Sequence, residues 1–209
     1  MSSIINPPIR AGKRALTKAA NRQAILDAAR MVFARIGYEA ANIRDIIRET
    51  DLASGTFYNY FKSKEEVFEA LADDSVKRFR PLLAKVREEA EDLETYIRTA
   101  YGAYFGFLAE ENGAAIEEGT PHMALIGVRV DTPEMQTVSD EIRTDLESVL
   151  QKTGHGAIDT DYLTAAAIGI AREMGDNMLK RRPVNPAAAA EFATQIIITS
   201  IDALAKQVR

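Results

Sequence analysis

The sequence predicts an all-α fold with a small N-terminal three-helix domain and a larger C-terminal helical domain. Apolar residues recur at the three- and four-residue spacing of helices, and capping residues, Gly and Pro separate these segments. The charge is also divided, since residues 1–64 hold 11 Lys and Arg against 5 Asp and Glu, whereas residues 65–209 hold 15 against 26. We therefore predict a flexible basic arm over 1–16, a first domain over 17–64 and a second over 65–209.

The composition excludes several classes of protein. The chain has 209 residues, 46% of them hydrophobic, and no cysteine. With only His122 and His155, it offers neither thiolate chemistry nor a histidine-based metal site, and no glycine-rich phosphate loop or nucleophile elbow occurs. We expect no enzyme, no cofactor and no metal. The sequence shows no apolar run of about 18 residues and no secretory signal, so a cytoplasmic location without a membrane partner is expected.

A helix-turn-helix pattern follows the first predicted helix, which spans residues 17–36 and ends at Gly37. Asn42 is a good N-cap, and Asp45 stands where a capping box places an acidic residue. The helix that follows must end near Thr50, because Asp51 is a turn former that tolerates a positive φ. A second short helix begins within about three residues, which is the loop length of a helix-turn-helix.

The second short helix is rich in side chains that suit a nucleic acid. Gly55 allows close approach of a partner, Thr56 offers a hydroxyl, and Asn59 can pair with a base edge. Phe57 and Phe61, four residues apart, are expected in the core. The basic excess of residues 1–64 suits a polyphosphate, although a basic surface is more often merely solvated.

The same residues resemble a known signature. Gly55-Thr56-Phe57-Tyr58, Tyr60-Phe61 and Ser63-Lys64-Glu65 are similar to the helix-turn-helix of the TetR family of bacterial transcription regulators, over residues 22–68. Two positions depart from the family pattern. Asp51 stands where the family usually has Gly, and Ala53 stands where it usually has the capping Ser, so that Ser54 is the candidate cap.

The resemblance implies a homodimeric, sequence-specific DNA-binding regulator, most often a repressor, that a small-molecule effector releases from a palindromic operator. It makes Tyr58 and Lys64 phosphate contacts, whereas an isolated Tyr would more often be half-buried packing and an isolated Lys solvated. The predicted DNA-binding residues are Arg44, Ser54, Gly55, Thr56, Tyr58, Asn59, Tyr60 and Lys64. The basic arm either contacts phosphates or the minor groove, or is only a flexible terminus.

The C-terminal domain offers aromatic residues and methionines for an effector. We predict an apolar or aromatic pocket formed by some of these side chains, with core packing as the alternative fate of each. The candidates are Tyr96, Tyr101, Tyr104, His122, Met123, Met174 and Met178.

The last two predicted helices, about residues 159–180 and 186–207, are apolar on more than one face. The resemblance implies that they form a dimer through a four-helix bundle; the alternative is the core of a monomer. An alternative function is a DNA-bound interaction module, whose acidic C-terminal domain docks another protein and has no small-molecule ligand.

Overall fold

The computed structural model describes residues 12–118 and 132–207, in which every regular element is a helix. The all-α prediction is therefore confirmed. The helices are α1 (Lys13–Ile36), α2 (Ile43–Arg48), α3 (Ser54–Phe57), α4 (Lys64–Glu89), α5 (Leu93–Glu111), α6 (Gly113–Glu118), α7 (Pro133–Lys152), α8 (Thr160–Lys180) and α9 (Pro186–Gln207). The chain divides into two compact units, Met1–Phe68 and Glu69–Arg209.

In the first unit, α1 supplies one wall of an apolar core. Ile25, Ala29 and Val32 are fully buried on this helix, as the helical spacing predicts. Gly37 ends the helix with a φ of 79°, a conformation that favours glycine. The helix begins at Lys13 rather than at Thr17, so the last residues assigned to the arm are helical, and residues 1–11 lie outside the described part.

The capping box of α2 is confirmed. The Asn42 side chain accepts hydrogen bonds from the backbone N–H groups of Arg44 (2.9 Å) and Asp45 (3.2 Å), and the Asp45 carboxylate accepts one from the Asn42 N–H (3.0 Å). These bonds satisfy the donors that the start of a helix leaves unpaired. The sequence therefore fixes where α2 begins.

The turn between α2 and α3 differs from the prediction at the cap of α3. Asp51 tolerates a positive φ but does not adopt one, and the Thr50 hydroxyl closes the turn by donating to the Ile47 carbonyl (2.9 Å) and accepting from the Leu52 N–H (3.2 Å). The expectation that Ser54 caps α3 is wrong. Ala53 is the N-cap, without a side-chain bond, and Ser54 is the first helical residue.

The second unit has one core, built by α5, α7, α8, α9 and the later part of α4. Pro81 lies inside α4, which continues through it. Thr132, Asp159 and Asn185 directly precede α7, α8 and α9, and each accepts a hydrogen bond from the backbone N–H three residues on, at 3.0–3.2 Å. α5 packs most extensively on α9 and also contacts α8 and α7.

One described helix is long and apolar enough, by length and composition alone, to cross a membrane. It is the part Pro186–Lys206 of α9, with a mean hydropathy of 1.3, of which 28% is buried within the chain. A single helix of this kind is weak evidence for a membrane segment, since packed helices of other proteins have the same length and composition. Phe192, Ile196 and Leu204 of this helix are exposed large apolar side chains.

Candidate nucleic-acid interface

The segment from Ser54 to Phe61 has a buried aromatic side and an open polar side. The backbone N–H groups of Tyr60 and Phe61 both donate to the Phe57 carbonyl, at 2.9 and 3.0 Å, so the helical path continues beyond α3. Phe57 is 0% and Phe61 2% exposed, with ring centroids 6.0 Å apart. Their prediction as core residues is confirmed, and they hold the segment against the first unit.

Four predicted residues, Ser54, Gly55, Tyr58 and Asn59, are exposed together on the open side, and Thr56 is half-buried beside them. Tyr58 is 61% exposed, although its ring meets Phe57 edge-on at 5.4 Å. It is therefore not buried packing. Hydroxyl and amide groups in such a position can bond to base edges or to phosphate oxygens.

Internal packing does not require a glycine at position 55. A Cβ built on Gly55 would meet no described atom within 4 Å, and the residue does not have a positive φ. The space in front of this backbone is open. A glycine there leaves a surface, rather than a core, without a side chain. The close approach of a partner to the backbone requires such a position.

The first unit carries basic side chains beyond those of the predicted site. Arg44 is exposed in the first turn of α2, and Tyr60 is half-buried. Arg22, which the prediction omits, places its guanidinium 5.1 Å from the centroid of the Phe61 ring. Arg48 and Lys62 are exposed as well. The local excess of basic residues was the only sequence signal for Arg22, Arg48 and Lys62. That excess does not show which basic residues lie near the motif.

Lys64 differs from the exposed residues of the site. Its side chain is half-buried, and its ammonium donates hydrogen bonds to backbone carbonyls of the loop between α1 and α2. The structure thus brings Ser54, Gly55, Thr56, Tyr58 and Asn59 together and gives Lys64 a different environment.

The tyrosines proposed for an effector pocket are buried in the second unit. The Tyr96 hydroxyl donates to Asp145 Oδ2 (3.1 Å), and the Tyr101 hydroxyl donates to the Ala167 carbonyl (3.1 Å). Burial raises the pKa of both phenols above the ordinary value, and Asp145 adds to the effect at Tyr96. Both side chains therefore connect helices as neutral hydrogen-bond donors.

Tyr104 packs against α8 at Gly175, where that helix has no side chain. A Cβ on Gly175 would stand 2.6 Å from Leu108 Cδ1 and 3.4 Å from Tyr104 Cε1, so the glycine makes room for both residues. Met178 is buried and Met174 is half-buried on the same helix. His122 and Met123 lie outside the described residues.

A buried charge also holds the second unit together. Asp145 on α7 is 8% exposed and accepts a hydrogen bond from Arg87 Nε of α4 (2.5 Å) as well as from Tyr96 of α5. One carboxylate thereby joins three helices, and its charge is compensated by a cation and a hydroxyl. In the described ranges, no group of three or more His, Cys, Asp or Glu side chains is placed to hold a metal ion.

Comparison with known proteins assigns the first unit to a family. Residues 25–71 match the sequence profile of the N-terminal domain of the bacterial regulatory proteins of the tetR family. The segment contains the helix-turn-helix described above. Residues 25–71 of the chain are therefore a match to the tetR family of bacterial regulatory proteins.

Two relatives show how far the likeness extends along the chain. The HTH-type transcriptional repressor KstR2 of Rhodococcus jostii is 32% identical over 90 residues, which are 41% of this chain and 44% of KstR2. The HTH-type transcriptional regulator YdgC of Bacillus subtilis is 24% identical over 187 residues, which are 85% of this chain and 91% of YdgC. The chain thus spans less than half of the first relative and most of the second.

A solved structure extends the likeness in fold to the C-terminal unit. The transcriptional regulator FadR of Bacillus subtilis, crystallised with stearoyl-CoA, superposes with a TM-score of 0.63 over 84% of this chain and 96% of its own. The two sequences are 18% identical over this alignment. The two proteins therefore share a fold.

Proposed function

We propose that the protein is a cytoplasmic, homodimeric transcription regulator that binds a palindromic operator and releases it when a small apolar effector binds. The observation that carries this proposal is the segment Ser54–Phe61, whose polar side chains are exposed over two buried phenylalanines. The unit with this segment holds the basic excess of the chain. A surface of this kind suits a polyanion with readable base edges.

In this proposal some residues of the exposed face contact bases and others contact phosphates. Asn59 and Thr56 contact base edges, while Ser54, Tyr58 and Tyr60 contact phosphates and fix the register of the helix in the major groove. Arg44 supplies positive charge at the edge of this face. Gly55 lets the backbone approach the DNA.

Binding to the DNA upstream of the protein's own gene tests the proposal. Fluorescence anisotropy is measured on that duplex and on a scrambled duplex of equal length, from about 50 to about 300 mM salt. Binding that depends on phosphate contacts loses most of its affinity over about this range. We expect tight, sequence-dependent binding with a steep salt slope. Equal and weak binding to both duplexes, and to fragments of the neighbouring intergenic DNA, would contradict it.

The dimer is proposed to form through α8 and α9. Tyr162 on α8 is 79% exposed, and on α9 Phe192 and Ile196 are 61% and 37% exposed one turn apart. The neighbouring Ala165 and Ala166 are exposed and small, so a second helix pair can approach closely. An isologous contact would cover this apolar surface on both subunits at once.

Sedimentation of the double variant Phe192→Glu/Ile196→Glu tests this interface. Two carboxylates on the contact should yield monomers, whereas Leu82→Glu, at a 39% exposed apolar position of α4, is the matched control and should remain dimeric. A double variant that still sediments as a dimer would place the interface elsewhere. Co-sedimentation of the wild type with lipid vesicles would instead assign α9 to a membrane.

The effector is proposed to enter the second unit beside Tyr104, Met174 and Gly175. Tyr96 and Tyr101 use their hydroxyls in the core, so they are expected to shape the pocket wall rather than to bond the ligand. Apolar surroundings favour an apolar or aromatic ligand. The stearoyl-CoA bound by the structurally similar FadR makes a long acyl chain a reasonable first probe.

Thermal shift with stearoyl-CoA and with simple aromatic compounds separates this function from its alternative. A ligand that binds the native state raises the Tm with concentration. Gly175→Ala places a methyl group beside Tyr104 that displaces the Leu108 side chain, and it should abolish the shift. A protein-docking module without an effector would show no shift with any compound. It would still bind DNA.

A further inference from the structure

Lys64 makes three hydrogen bonds to one loop of the first unit. Its Nζ donates to the backbone carbonyls of Tyr38 (2.9 Å), Ala41 (3.0 Å) and Glu39 (3.3 Å). An ammonium group has three N–H donors, and here each has an acceptor within bonding distance. A phosphate oxygen could accept a hydrogen bond from the Lys64 ammonium only if one of these bonds were broken.

The aromatic surroundings hold the same ammonium in place. Nζ lies 4.5 Å from the centroid of the Tyr38 ring, which adds a cation–π contact. The Tyr38 ring packs at 4.7 Å on Phe68 of α4 and at 5.4 Å on Phe33 of α1, and its hydroxyl donates to Glu65 (3.1 Å). The Lys64 ammonium and the Tyr38 side chain therefore both join the α1–α2 loop to the first turns of α4.

This loop leads directly into the helix-turn-helix. Residues 38–41 connect Gly37, which ends α1, to Asn42, which caps α2. The carbonyls that Lys64 binds belong to this connection, so the ammonium is bonded to the segment that leads into α2. Charge-assisted bonds of this kind are stronger than bonds between neutral groups.

We propose that Lys64 is a positioning residue of the DNA-binding unit, which ties the α1–α2 loop to the start of α4, and that it does not contact phosphate. The proposal deepens, and rests on, the proposed function as a DNA-binding regulator. It replaces the phosphate contact that the family resemblance implies for this lysine. The operator affinity then depends on Lys64 through the placement of α2.

Two substitutions separate the two roles. Lys64→Met keeps an unbranched side chain against Tyr38 and removes the charge and all three donors. Lys64→Arg keeps the charge, but its flat guanidinium does not reproduce a compact ammonium among three converging carbonyls. Lys62→Met removes one charge from an exposed lysine of the same segment and is the matched control.

The first readout is hydrogen exchange in the free full-length protein. In Lys64→Met and in Lys64→Arg we expect the amides of Ala41 and Asp45 to exchange on the order of tenfold faster, because the loop opens more often without its tether. The Tm should fall by roughly 2–4 °C. Lys62→Met should change neither quantity, and unchanged exchange in Lys64→Met would overturn the proposal.

The second readout is the salt dependence of operator binding. Both Lys64 variants should bind more weakly with the wild-type slope of log K against log salt, since no phosphate contact is lost. A slope flatter by about one in Lys64→Met, restored in Lys64→Arg, would also overturn the proposal. If the wild type bound no DNA, the proposed function would fail, whereas the exchange rates would still decide whether Lys64 holds the loop.

Discussion

The two units of the chain differ in whether they bury polar side chains. Among residues 12–68 every buried side chain is apolar, whereas the described part of the second unit buries Ser75, Asn112, Asp145 and several threonines. The first unit leaves polar side chains exposed on the Ser54–Phe61 segment, where a partner can contact them. The second unit buries polar side chains such as that of Asp145, which joins its helices. Exposed polar groups therefore indicate function in the first unit, and buried polar groups indicate architecture in the second.

The largest effect expected from this difference is at Phe57. Phe57→Ala removes a fully buried ring from the small core of the first unit and should cost about 3–5 kcal/mol of unfolding free energy. Tyr58→Ala, at a residue 61% exposed, should change stability by less than about 0.5 kcal/mol and yet weaken DNA binding. Urea denaturation of both variants is the measurement. Equal losses of stability would contradict the assignment of the two sides.

A smaller effect is expected at the buried charge of the second unit. Arg87→Met leaves Asp145 without its cation and should destabilise the protein by about 1–3 kcal/mol, less than for a fully buried pair because the Arg87 side chain is 40% exposed. Arg80→Met, whose partner Glu141 is more exposed than Asp145, is the control and should cost less. Chemical denaturation of the two variants decides the order. Equal costs would show that the burial of Asp145 does not matter.

Gly55→Ala should separate stability from function. Alanine fits the open space at this helical position and should stabilise the protein by about 0.5–1 kcal/mol, while its methyl group hinders the approach of DNA. Gly37→Ala is the control, since its φ of 79° makes the same substitution destabilising. Melting and operator-binding curves are recorded for both. A Gly55→Ala variant that binds DNA as well as the wild type does would remove the functional reason for this glycine.

The smallest effect is a pH dependence at Glu65. Hydrogen bonds from its own backbone N–H and from the Ser63 hydroxyl lower the pKa of this carboxyl below its ordinary value of 4.5. The stabilisation is therefore complete above pH 4.5 and is lost as the pH falls through the lowered pKa. Glu65→Gln should lower the Tm slightly at pH 7, and the difference should shrink as the solution is acidified. A difference that grows in acid would contradict this assignment.

The contrast between the units also explains what the sequence predicts. In the first unit, Asn42 and Asp45 form the predicted capping box, and Phe57 and Phe61 form the predicted core, since each result depends on residues close in sequence. The cap of α3 was predicted wrongly, since Ala53 rather than Ser54 is the N-cap. The turn before it needs no left-handed residue, because the Thr50 hydroxyl closes it.

Contacts between residues distant in sequence could not be predicted. Tyr96 meets Asp145, and Lys64 meets the loop after Gly37, only because the helices that hold them pack together. Helical spacing indicates that such residues face inward, but it does not indicate their partners. The predicted pocket residues therefore include two tyrosines whose hydroxyls bond inside the core.

The specificity of the Asn59→Ala variant tests the central claim most directly. The ratio of affinities for the operator and for a scrambled duplex is measured for the wild type and for this variant at one salt concentration. If the exposed side of the Ser54–Phe61 segment contacts base edges, the variant loses about 1–3 kcal/mol on the operator and binds the scrambled duplex as before. An equal loss on both duplexes, or no loss on either, would contradict the account.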